Sequence, residues 1–153
     1  MDRLDLLQTL LQREKEKRDA ALMEWRDAEA RAQAAREQAE GLVTYRADYR
    51  KRWAAQFAKR APIEILHCYQ GFVDRLEHAI GAQQGIVDQA AHRAQAARQR
   101  LQHREMKVAT VQRLIERRLQ AAALKQSRRD QKTVDEAAQR LGWARRQAMA
   151  AAA

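Results

Sequence analysis

Five imidazole or thiol side chains could ligate a metal or act as a nucleophile or base near neutral pH: His67, Cys68, His78, His92 and His103. Their spacing gathers none of them into a site. His92 and His103 are eleven residues apart, about 16 Å along a helix, too far to share an ion. His67 and Cys68 are neighbours in sequence and leave a helix on different faces, and two ligands do not complete a tetrahedral site. No glycine-rich phosphate loop accompanies them. The residues therefore predict no catalytic centre, no metal and no cofactor. A lone cysteine excludes an internal disulfide and fits a reducing compartment.

Recognition is the chemistry that remains, and the aromatic residues carry it. Tyr45, Tyr49, Trp53, Phe57, Tyr69 and Phe72 crowd into one part of a chain that is only 5% aromatic. Gln38, Leu42, Tyr45 and Tyr49 follow an i, i+4, i+7, i+11 spacing, which draws one stripe along a helix. Phe72, Leu76, Ala79 and Gln83 repeat it further on. Tyr45 and Phe72 each lie one position off the apolar row of their segment. Half-exposed rings beside a packed row suit a protein-binding face.

These residues need long helices to position them. Ala, Arg and Gln dominate the 153 residues, with 5 Gly and 1 Pro, so good helix formers fill nearly every position. Much of the 46% hydrophobic fraction is alanine, too small to fill a globular core, and the expected shape is a rod. Pro62 is the one break, ending a helix before it and suiting the first turn of the next. Gly142 after Leu141 reads as a second stop.

A 3-4 repeat runs on both sides of Pro62. It passes through Leu4, Leu7, Leu11, Glu14, Arg18, Ala21, Trp25, Ala28, Ala32, Ala35, Ala39, Leu42, Arg46, Tyr49 and Trp53. It resumes through Leu66, Tyr69, Val73, Leu76, Ile80, Gln83, Val87, Ala90, Ala94, Ala97, Leu101, Arg104, Val108, Val111 and Ile115. Heptads sustained this long predict a coiled coil. Folding back at Pro62 sets Trp53 against Tyr69 and brings the alanines of one arm opposite those of the other. Arg18 then faces Arg104, a like-charge pair that either frays or recruits an acidic partner. The fold class is all-α: a long two-helix antiparallel coiled-coil hairpin with an overhanging C-terminal helix. Helix 1 covers about 3–58, the loop 59–63 and helix 2 about 64–141, with a disordered tail over 142–153. Roughly 20 residues of the second helix, about 30 Å of it, lack an internal partner. Such a helix is marginal alone in water.

The formal charge is +10. Residues 1–61 hold 14 Lys and Arg against 11 Asp and Glu, and residues 62–153 hold 16 against 9, so the excess is +3 and then +7. A basic balance admits nucleic acid, an acidic membrane surface or an acidic protein. No apolar run approaches the ~20 residues that span a bilayer, and the opening MDRLDLLQTLLQREKEKR lacks the order of a secretory signal. A cytoplasmic protein is expected.

Three ordered motifs go beyond composition. LQTLLQREKEK near the start, QAEGLVTYRADYR with YQGFVDRLEHAI on the central arms, and RRDQKTVDEAAQR further on make the chain resemble the FliJ family of the bacterial flagellar type III export apparatus. The last, a DQK-x-x-DE-x-A-Q-R pattern, is the most specific, and the resemblance covers nearly the whole chain except QAMAAAA. It implies a fold similar to the coiled coil of the rotary ATP synthase gamma subunit. It also implies a non-enzymatic component that enters the pore of the hexameric flagellar export ATPase and promotes ring assembly. The other implied partners are the export gate protein FlhA and export chaperones, at the inner face of the cell membrane, reached through partners only. The family's gate-facing patch maps onto Gln38, Leu42, Tyr45, Tyr49, Phe72, Leu76 and Ala79. The next position, often His in the family, is Gln83 here. By analogy with gamma, the ATPase would meet Leu4, Leu7 and Leu11 together with Asp130, Gln131, Lys132, Asp135 and Glu136. Two alternatives stand beside this reading: the related stalk of a virulence-type secretion system, and a basic arm binding RNA. The second requires a continuous cationic face, whereas Asp19, Glu24, Asp88 and Glu105 interrupt the arginines, so no nucleic acid is expected.

Overall fold

The structure, a computed structural model, describes residues 2–60 and 62–153. Two helices account for nearly all of it: α1, Arg3–Phe57, and α2, Ile63–Ala152, with no strand among the described residues. The fold is the expected all-α hairpin. Helix α1 ends by tightening. The amide of Lys59 donates to the Gln56 carbonyl (3.1 Å) and that of Arg60 to Phe57 (3.3 Å), and Arg60 turns to a left-handed φ of 71°. Pro62 caps α2, its carbonyl accepting from the amides of Ile65 (3.1 Å) and Leu66 (3.2 Å). Glu64 in the first turn complements the positive end of the helix dipole.

Two units make up the chain. The first spans Lys15–Met106 and holds the antiparallel pairing. Trp53 lies 5.8 Å from Tyr69 between ring centroids, as the fold-back requires, while Gln83 reaches Ala35 and Arg100 reaches Glu24. Partners descend on one helix as they ascend on the other. The repeat positions of this unit are buried or half-buried, with one departure: Leu66 is 45% exposed. It lies in the first turn of α2, opposite the last turn of α1. Ala32, Ala35, Ala94 and Ala97 are buried, so the seam is closed here by methyl groups, which allow helix axes to approach closely. Arg18 finds an acid beside it: its Nε and Nη2 both donate to Oδ1 of the adjacent Asp19 (3.1 and 3.0 Å). A long side chain can turn along its own helix, and that relieves the expected repulsion.

The second unit comprises Met1–Glu14 and Lys107–Ala153. Glu14, Val108 and Val111 are buried, and Leu4, Leu7, Leu11 and Ile115 half-buried. Beyond Ile115 every residue of α2 is exposed except Gly142. The helix does not stop at Gly142, and residues 142–153 are not a disordered tail: α2 runs on to Ala152. One glycine costs only about 1 kcal/mol, and the WARRQAMAAA that follows is rich in the best helix formers, with no proline to end it.

Glycines within the helices leave room for a side chain. A Cβ at Gly81 or Gly85 would meet nothing within 4 Å, and neither has a positive φ. Neither glycine therefore serves a close approach, and both are exposed. Gly81→Ala and Gly85→Ala are each expected to raise the unfolding free energy by about 0.5–1 kcal/mol, read as a higher urea midpoint at unchanged slope.

Candidate partner-binding face

Six rings from both helices form one array in the Lys15–Met106 unit. Tyr49 stands at its centre, with ring centroids 4.5 Å from Phe72, 5.6 Å from Tyr69, 6.0 Å from Trp53 and 6.2 Å from Tyr45. Phe57 closes the array against Tyr69 (5.1 Å) and Trp53 (5.5 Å). Tyr45 tilts edge-on to Phe72 at 6.3 Å. Most of these separations and angles fall in the offset and edge-to-face range that aromatic quadrupoles favour. The helical spacing explains the assembly: Tyr45, Tyr49, Trp53 and Phe57 recur every four residues on α1, and Tyr69 and Phe72 answer from α2.

A cross-helix ion cluster borders the array. Glu77 accepts from Arg46 Nη1 at 2.9 Å and from Arg50 Nη2 at 2.7 Å. Arg46 interrupts the apolar repeat of α1 and keeps only 25% of its side chain exposed. Its charge is met by a carboxylate from the other helix, and the polar break in the repeat was the signal that such a partner exists. Further along the seam Gln83 is buried, its Nε2 donating to the Ala35 carbonyl at 3.1 Å. A buried amide bonded across a helix pair ties one position of α2 to one of α1, since leaving it unbonded would cost more than the bond contributes.

The eight residues assigned to the face divide accordingly. Gln38, Tyr45 and Ala79 are exposed, and Leu42, Tyr49 and Phe72 are half-buried. Leu76 and Gln83, each 7% exposed, point into the seam and are not available to a docking surface. The i, i+4, i+7, i+11 stripe slants across a helix, so on α2 it begins beside the seam at Phe72 and crosses into it. What a partner could touch is narrower: Gln38, Ala79 and chiefly Tyr45, 51% exposed, standing over Tyr49 and Phe72.

The second predicted group is split between the helices. Leu4, Leu7 and Leu11 lie half-buried, while Asp130, Gln131, Lys132, Asp135 and Glu136 are all exposed. Asp130 accepts from Gln126 at 3.0 Å and Asp135 from Gln131 at 3.1 Å, bonds along one helix face that hold nothing outside it. Leu119, Leu124, Val134, Leu141, Trp143 and Met149 on the same stretch are more than half exposed.

Among the described residues no group of three or more His, Cys, Asp or Glu is disposed to hold a metal, and Cys68 is exposed. A groove of about 650 Å³ beside the alanine seam includes His103 among Lys17, Glu24, Arg100 and Arg104. Nor, among the described residues, is any helix long and apolar enough to cross a membrane.

Over residues 4–147 the chain matches the protein family described as Flagellar FliJ protein. No curated protein and no solved structure matches it.

Proposed function

The chain belongs to the flagellar FliJ family and is a component of the flagellar export apparatus, and on that premise we propose that it works there as a non-enzymatic stalk. Its ends engage the hexameric export ATPase, and the Tyr45 face engages the export gate protein FlhA and helps to present export chaperones. It acts on the cytoplasmic side of the membrane. A two-helix stalk has no six-fold symmetry, so within a ring it touches the subunits unequally and biases them toward different nucleotide states. It speeds turnover and favours ring assembly without hydrolysing anything itself.

The observation that carries this reading is α2 beyond Ile115: helical to Ala152, exposed almost throughout, and set with large apolar side chains. A single helix of that composition is marginal in water, and enclosure by a partner supplies what it lacks. A nucleic-acid arm fits less well, because Arg36, Arg46 and Arg50 are already engaged by Glu29 and Glu77.

The test compares the ATPase rate of the cognate enzyme with the full chain and with a version ending at Gln120. Stimulation is expected to fall roughly tenfold for the shortened chain, the loss of about 1.4 kcal/mol of coupling. Equal stimulation by both would remove the overhanging helix from the mechanism.

A further inference from the structure

We propose that the start of α2 is a lipid-contacting tip, which dips its aliphatic side chains into an anionic membrane surface without the help of a partner protein. Ile63 is 72% exposed, Leu66 45% and Ile65 40%. Successive helix positions turn by about 100°, so these three fall within one arc of about 160° on the first turn, with Glu64 outside it. An aliphatic arc left uncovered at a helix end is favoured in an apolar medium.

The charges around the tip name the medium. Lys51, Arg52, Lys59 and Arg60 are all exposed and take part in none of the ion pairs described above. Glu64 is the one acid between Asp48 and Asp74. Arg60 ends α1 in a left-handed turn, φ 71°, which sets its guanidinium beside the aliphatic turn in sequence. A cationic collar behind exposed aliphatic residues is the pattern of an interfacial anchor on anionic lipid. Protein-binding hot spots favour aromatic anchors instead, and the exposed residues of this turn are aliphatic. Trp53 and Phe57 are half-buried and pack on Tyr69, where they form a stiff base for the tip. The proposal is independent of the ATPase and the gate protein, since it requires neither.

Flotation of the full chain with vesicles tests it, using phosphatidylcholine alone and phosphatidylcholine with about 30% phosphatidylglycerol. The chain is expected to float with the anionic vesicles only. Ile63→Asp with Ile65→Asp should lower the partition coefficient on the order of tenfold, with far-UV dichroism and melting unchanged because both sites are exposed. Lys59→Glu with Arg60→Glu should lower it comparably, and serves if the first pair disturbs folding. Arg145→Glu with Arg146→Glu, an equal charge change at the far end of α2, should alter it less than about twofold. Failure to bind anionic vesicles overturns the proposal. So does binding that ignores both tip pairs, or one that falls as much with the Arg145 and Arg146 pair, for then net charge alone is responsible. Tip-dependent retention on a polyglutamate resin without vesicle binding would replace the lipid by an acidic protein.

Discussion

An Ala32→Asp variant is expected to unfold with a free energy about 4 kcal/mol below that of the parent, close to the largest loss a single substitution causes. Ala32 is 1% exposed and lies in a seam whose other members, Ala35, Ala94 and Ala97, are themselves nearly inaccessible. Alanine at these positions brings the two backbones together, so a larger side chain has nowhere to go. A carboxylate there has lost its water, and the alanines around it offer neither a cation nor a donor. The helices must part locally or the group must protonate, and either outcome shows in urea unfolding at neutral pH. Ala34→Asp provides the contrast. Ala34 is exposed two residues away, so the same substitution costs only its helix propensity, about 0.7 kcal/mol. Comparable losses at the two positions would mean that the alanine seam is not closed in solution.

Tyr49 and Tyr45 separate stability from recognition. Tyr49→Ala removes the ring that touches Tyr45, Trp53, Tyr69 and Phe72 together, and is expected to cost about 3 kcal/mol of stability. Tyr45→Ala removes a ring that is half exposed and whose ring contacts among the described residues are Tyr49 and Phe72, both at more than 6 Å, so its cost should stay near 1 kcal/mol. Binding is expected to reverse the ranking of interest. With folding preserved, Tyr45→Ala should weaken affinity for the cytoplasmic domain of the gate protein at least about tenfold, as loss of a central aromatic anchor does. Calorimetric titration of the two folded proteins measures this directly. Unchanged affinity in a normally folded Tyr45→Ala protein would place the gate contact elsewhere on the chain.

The contrast between these two tyrosines also marks how far residue spacing could be read. Heptad position identified Tyr49 as a seam residue and Tyr45 as its neighbour outside the seam, and the burial of each follows. The same logic already contained the correction to the candidate face. Leu76 and Gln83 belong to the seam repeat of α2, so a stripe that includes them cannot be wholly superficial. Gln83 was legible as a polar interruption of the repeat. Its bond to the Ala35 carbonyl was not, because any acceptor within reach on the opposite helix would have satisfied it. Arg46 is similar: an exception to the apolar pattern announces that a charge must be met, without saying that Glu77 meets it and shares itself with Arg50.

By itself the sequence determined the helices, the turn at Pro62, the antiparallel sense and nearly every seam position, because each follows from periods and breakers that act within a few residues. Tertiary structure alone decided which polar groups found partners across the seam, that Arg18 turns to Asp19, and that Ile63, Ile65 and Leu66 are left uncovered. It also decided that α2 passes through Gly142, where a local stop signal competes with the propensity of the ten residues after it. The division has one physical cause. Periodicity records which way a side chain points, whereas pairing, covering and termination depend on what stands opposite, and that is known only once both helices are in place.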